Sequence, residues 1–104
     1  MAHRVVFAPE AQADLIELYD YLAERAGPER ALAYTERIET TCRGLATFPE
    51  RGSRRDDIRP GLRVIGVGRR VAIAYHIGAE TVTIDRALYG GRDLGAALGG
   101  GSSR

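Results

Sequence analysis

Apolar positions in this chain recur first at the spacing of helices and then at the spacing of strands. "HRVVF", His3 to Phe7, is rich in β-branched residues and predicts a short strand ended by Ala8-Pro9. Leu15, Leu18, Tyr19 and Leu22 follow at three- and four-residue steps, which predicts an amphipathic helix over Pro9 to Arg25. Pro9 suits its first turn, and Glu10 and Asp14 are favourable near its positive end. Gly27 stops that helix and Pro28 opens a second, predicted to run to Phe48. Its stripe is Ala31, Tyr34, Ile38, Thr41 or Cys42, Leu45 and Phe48. The link between the helices is short, so they should form an antiparallel hairpin. Pro49 ends it, and "ERGSRRDDIRPG" reads as a polar loop.

Beyond that loop the period becomes two. "GLRVIGVG" sets Leu62 and Val64 on one face and Arg63 and Ile65 on the other. "RVAIAYHI" alternates Val71, Ile73, Tyr75 and Ile77 against Ala72, Ala74 and His76. "ETVTIDRAL" alternates Val82, Ile84, Arg86 and Leu88 against Thr81, Thr83, Asp85 and Ala87. The links "GR" and "GAE" have hairpin length, so these strands predict an antiparallel meander. Its more apolar face needs a cover, and the helical hairpin is the candidate. The expected fold is α+β in two layers, β-α-α-β-β-β, with the helical hairpin packed on an antiparallel sheet. One domain is expected over residues 1–98, with a flexible Gly/Ser tail over 99–104.

A length of 104 residues suits a single domain that buries roughly two-thirds of its unfolded surface. A hydrophobic content of 44% argues against disorder. No apolar run approaches the ~20 residues of a membrane helix, and "MAHRVVFAPE" has no secretory pattern. The expectation is therefore a cytoplasmic protein with no membrane contact. Cys42 shares a helical stripe with Ile38 and Leu45 and reads as a buried small apolar residue rather than a reactive thiol.

The net charge of +1 conceals a dipolar chain. Pro9 to Glu29 holds six acids and one arginine, whereas Arg51 to Arg70 holds seven arginines and two aspartates. The second stretch suits an anionic partner, either nucleic acid or an acidic peptide. All fifteen basic residues are arginine. A guanidinium grips phosphate or carboxylate with a planar fork but does not serve readily as a general base.

The segment "RALYGGRDL", Arg86 to Leu94, gathers two arginines, a tyrosine and an aspartate after the last strand pattern. RNA cleavage through the 2′-hydroxyl needs a base, an acid and a cation at the phosphate. Arg63 and Arg86, with Arg92 in a lesser place, offer the cation and Tyr89 the acid, but a phenol with an unperturbed pKa near 10 is a poor base. His76 has a suitable pKa class but lies on the face away from the expected core, with no partner visible in sequence; it reads as exposed or hydrogen-bonded. Arg86 has the parity of the covered face unless a bulge intervenes, so it is expected to be a structural clamp paired with Asp93 or with an acid of the first helix. Asp85 and Arg92 point elsewhere, toward a possible protein partner, and Gly90-Gly91 permits a turn with positive φ. Tyr19 and Tyr34 fit the helix stripes, while Tyr21 falls off them and is expected at the surface.

Three blocks resemble, in order, ParE-type toxins of the ParE/RelE toxin–antitoxin superfamily: "VVFAPEAQADLIELYDYLAER", "LATFPERGSRRDDIRPGLRVIGVGRRVAIAYHI" and "VTIDRALYGGRDL". The resemblance covers roughly residues 4 to 94. It implies the same element order and a small cytoplasmic toxin silenced by a cognate antitoxin whose C-terminal segment wraps it. ParE-type members inhibit DNA gyrase by trapping it on cleaved DNA; RelE-type members cut messenger RNA on the ribosome, and a shared fold does not choose between them. RelE-like nucleases tend to carry several lysines, or a glutamate–histidine pair, and neither stands out here. The resulting expectation is an inhibitor of gyrase or a related topoisomerase with no catalytic residue, cofactor or metal, touching nucleic acid only indirectly. Arg54, Arg55, Arg59, Arg63, Tyr21 and Arg92 are its expected partner-binding residues, and Arg86 with Asp93 its clamp. The alternative is a ribosome-dependent endoribonuclease acting on messenger RNA through Arg63, Arg86 and Tyr89.

Overall fold

The computed structural model describes residues 3–90 and 94–98. Strand β1 (Arg4–Phe7) leads into helix α1 (Pro9–Ala26), and Gly27 turns the chain into helix α2 (Pro28–Gly44). Proline opens both helices, where its missing N–H costs nothing. Gly27 adopts φ 95°, a conformation that strains a side chain but not glycine. A 3-10 turn (Pro49–Arg51) precedes a two-residue strand β2 (Ser53–Arg54). Strands β3 (Leu62–Val67), β4 (Val71–Ile77) and β5 (Thr81–Tyr89) form the meander, and a short helix α3 (Leu94–Leu98) follows.

The sheet order is β1-β5-β4-β3-β2. Its consecutive strands pair antiparallel, as the hairpin-length links require. β1 instead runs parallel to β5, placing Val5 opposite Val82 and Phe7 opposite Ile84. The first and last strands are therefore neighbours, and the sheet is mixed rather than wholly antiparallel. Ile38, Leu45, Ile73, Tyr75 and Ile84 are fully buried between the helical hairpin and the sheet. Burying each large aliphatic side chain contributes roughly 1.5–3 kcal/mol, so this single interface supplies most of the drive to fold.

Two local expectations change, and one feature is added. First, α2 stops at Gly44, one turn before Phe48, because Thr47 and Phe48 both donate to the Gly44 carbonyl as the chain tightens. Leu45 stays in the core, but Phe48 is turned outward and is 65% exposed. Second, β5 carries a bulge: Ile84 pairs with Tyr75 and Arg86 with Ala74, which leaves Asp85 unmatched. The extra residue resets the alternation, so Ala87 joins the core beneath the helices while Leu88, also buried, does not. Third, the outer face of the sheet is not bare. Ala97 and Leu98 of α3 pack with Leu62, Ala74, Ile58 and Val64 in a second small cluster. The tail expected over 99–104 lies outside the described residues.

Cys42 is fully buried, and that burial pushes its thiol up to about 12. The expected result is that Ellman's reagent at pH 8 leaves the folded protein unlabelled and titrates one thiol per chain in denaturant.

Candidate functional site

The clamp joins the ends of the described fold. Arg86 of β5 donates from Nε to Asp14 Oδ2 at 2.7 Å and from Nη2 to Asp14 Oδ1 at 3.0 Å. The backbone N–H of Ala87 donates to the same Asp14 Oδ2 at 2.9 Å. Fork and carboxylate thus meet in a bidentate pair, and Asp14 accepts a third hydrogen bond from the strand next to the bulge. The hydrogen bond with Asp14 is the main reason that the Arg86 guanidinium is held still more firmly protonated. Of the two partners left open by the sequence, the acid of the first helix is the one found on Arg86; Asp93 and Arg92 lie outside the described residues.

A second anchorage lies below the 3-10 turn. The fully buried Tyr75 donates its hydroxyl to the Pro49 carbonyl at 2.7 Å and accepts from the Gly52 N–H at 2.9 Å. Burial pushes the Tyr75 phenol up, against the opposing effect of the Gly52 hydrogen bond. Arg63 donates to the carbonyls of Gly52 and Glu50 at 2.8 and 3.2 Å. Gly52 has no room for a side chain: a Cβ would sit 2.7 Å from the Tyr75 hydroxyl and 2.8 Å from the Val64 carbonyl oxygen.

The basic loop between β2 and β3 is less bare than its sequence suggests. Arg54 pairs with Asp56 at 3.0 Å, and Arg55 makes a bidentate pair with Asp57 at 2.9 and 3.0 Å. Arg59 reaches Asp85 at 3.2 Å. The Arg54 and Arg55 side chains remain 68% and 41% exposed, and solvent screening leaves such surface pairs little stabilising effect.

Asp56 shows what holds this loop. Its carboxyl lies below the usual range chiefly because the Gly61 N–H donates to it at 2.8 Å, with Arg54 adding to the effect. A carboxyl depressed in the folded state contributes stability above its unfolded pKa, about 3.9, and loses that contribution as pH falls through its folded value. The Gly61 amide is therefore expected to remain protected from hydrogen exchange at pH 5–7 and to lose protection only as pH falls below the ordinary carboxylate range, followed by NMR.

Asp85 was expected to face a partner but is held internally. His76 Nδ1 lies 2.8 Å from Asp85 Oδ2, and Arg59 contacts the same oxygen. His76 opposes Thr83, and the bulge brings Asp85 into diagonal reach on the same face. The histidine therefore has the partner that sequence spacing did not reveal.

Tyr21 is 41% exposed, as expected, and packs at 5.3 Å between centroids on Tyr89, with the Arg25 guanidinium 4.2 Å over its ring. Tyr21, Tyr89, Glu17 and Arg70 are among the residues that line a cleft of about 510 Å³. Tyr89 opposes Val71, six residues along β5 from the pairing of His76 with Thr83, or about 20 Å at strand rise. His76 and Tyr89 thus stand near opposite ends of the sheet. Arg63, Arg86 and Tyr89 each contact a different neighbour (turn carbonyls, Asp14 and Tyr21), although Asp14 and Tyr89 line the same cleft. Among the described residues there is no cluster of three or more metal-ligating side chains.

The fold and its surfaces define a small α+β protein with a helical hairpin on a five-stranded sheet, an arginine-rich loop and an internally committed set of candidate acid–base groups. Residues 5–94 match the family model described as "ParE toxin of type II toxin-antitoxin system, parDE". The chain is 35% identical over 96 residues to Toxin ParE3 of Caulobacter vibrioides, covering 92% of this chain and 95% of that one. It is 30% identical over 94 residues to Toxin ParE1 of Mycobacterium tuberculosis, covering 90% and 96%. The solved structure described as the chromosomal ParDE TA system from P. aeruginosa superposes with a TM-score of 0.76 at 23% identity, covering 86% of this chain and 97% of that one. A chain of the toxin–antitoxin complex RelBE2 from M. tuberculosis superposes with a TM-score of 0.59 at 26% identity, covering 86% and 99%. The protein belongs to the ParE toxin family of type II toxin–antitoxin systems.

Proposed function

We propose that this chain acts in the cytoplasm by binding and poisoning DNA gyrase or a related topoisomerase, and that a cognate antitoxin holds it silent. The observation that carries this reading is the family match over residues 5–94, together with the commitment of Arg63, Arg86 and Tyr89 to structural contacts. A protein that acts by occupancy needs a stable shape and charged rim, not a convergent acid–base set. Arg54, Arg55 and Arg59 supply that rim, with Tyr21 at a separate aromatic cleft. No helix among the described residues is long and apolar enough to cross a membrane.

Controlled expression tests the reading in cells. The expected result is growth arrest with induction of the DNA-damage response, relieved by co-expression of the cognate antitoxin. One observation favours the second reading, cleavage of messenger RNA on the ribosome: the His76–Asp85 pair has the geometry of an oriented acid–base group. That reading expects growth arrest with cut transcripts and no DNA damage.

A further inference from the structure

Phe48 is more exposed than any other large apolar side chain among the described residues. Ile16 and Leu32 are also exposed, but each stands singly on a regular helix, and scattered apolar residues of that kind are ordinary. Phe48 differs because the turn that carries it is fastened at nearly every backbone group. The Thr47 and Phe48 N–H groups donate to the Gly44 carbonyl, and the Arg51 N–H donates to the Phe48 carbonyl. Tyr75 binds Pro49 and Gly52 from beneath, and Arg63 binds Glu50 and Gly52. A buried tyrosine and a strand arginine are thus devoted to fixing the turn that presents an exposed aromatic ring.

This is the arrangement of a preorganised anchor. Ordering an interface costs conformational freedom, and a turn already fixed in the free protein avoids that cost on its own side. Buried aromatic rings carry a disproportionate share of binding energy at interfaces. Phe48, Pro49, Glu50 and Arg51 line a shallow hollow of about 430 Å³.

The charge around the ring selects the occupant. Residues 43–55 hold four arginines against one glutamate. Arg54 and Arg55 have internal acids, but Arg43 and Arg51 make no ion pair among the described residues. A phosphate backbone would answer the arginines but would meet Phe48 and Glu50 with nothing to gain. A flexible protein segment with an apolar side chain flanked by carboxylates answers both features, and it can fold onto the fixed turn.

We propose that Phe48, with Arg51 lining the same hollow, anchors an acidic segment of the antitoxin. The proposal rests on the toxin–antitoxin reading above and deepens it by naming the contact. Phe48→Ala, Phe48→Asp and Arg51→Glu are to be titrated calorimetrically with the full-length cognate antitoxin. Phe48→Ala is expected to raise Kd about 30-fold, equivalent to about 2 kcal/mol. Arg51→Glu is expected to raise it roughly fivefold, with a weaker salt dependence. Because these side chains are exposed, the melting temperatures should stay close to that of the parent. In cells the variants should still arrest growth while escaping the antitoxin. Unchanged affinity in both Phe48 variants overturns the proposal. So does loss of growth arrest with affinity intact, which would assign the patch to the target instead. If the parent chain itself neither arrests growth nor binds the antitoxin, the underlying reading fails and the proposal falls with it.

Discussion

Replacing Asp14 with alanine is expected to cost about 3–5 kcal/mol of folding stability, the largest loss foreseen for a single polar side chain in this protein. The substitution strands the Arg86 guanidinium, whose side chain is only 23% exposed, and also removes the acceptor of the Ala87 N–H. For a domain of this size the melting temperature should fall by roughly 15–30 °C, measurable by circular dichroism. The control is the double replacement Asp14→Leu with Arg86→Met. Removing both charges with volume retained should recover much of the loss, although the Ala87 N–H still lacks its acceptor. A nuclease built on Arg86 gives the opposite pattern: Arg86→Met would keep its melting temperature and lose activity by orders of magnitude.

The second large effect is expected at Tyr75. Tyr75→Ala removes the largest fully buried side chain and should cost about 3–5 kcal/mol through the cavity left behind. Tyr75→Phe keeps the ring and isolates the hydroxyl. It leaves the Pro49 carbonyl and Gly52 N–H without their partner, so a loss of about 1–3 kcal/mol is expected. The phenylalanine variant should also loosen the turn. Hydrogen exchange at the Gly52 amide should quicken while amides at the centre of β4 and β5 remain protected up to global unfolding. Uniform acceleration across the sheet would show that Tyr75 stabilises the core without specifically fixing the turn.

The helices and the meander were legible because burial on one face imposes a period, and the sequence keeps that period over many residues. That Arg86 would need a carboxylate, with α1 offering several, was legible, but the parity that pointed Arg86 inward does not hold: the bulge pairs Arg86 with Ala74 and turns Ala87 inward instead. The bulge was not legible, because Asp85 is polar on either side of the inserted step and leaves no break in the pattern. Its consequences, Ala87 facing inward and Asp85 reaching His76, were hidden with it. The parallel pairing of β1 with β5 joins residues from opposite ends of the chain and has no local signature. Phe48 continues the helical spacing, so only the tight turn at Gly44 separates it from the core. The pairing within the basic loop had a readable signal: in "RRDD" each arginine lies two residues before an aspartate, as the pairs Arg54–Asp56 and Arg55–Asp57 show. The small cover formed by Ala97 and Leu98 was masked by the surrounding glycines.

The central claim is action by binding rather than by bond chemistry, and it is tested most directly with purified gyrase, supercoiled plasmid and this protein. The expected result is accumulation of linear plasmid after detergent and protease treatment, rising with toxin and absent when the antitoxin is added first. Unaltered gyrase, with the same preparation cutting messenger RNA on ribosomes, would contradict it.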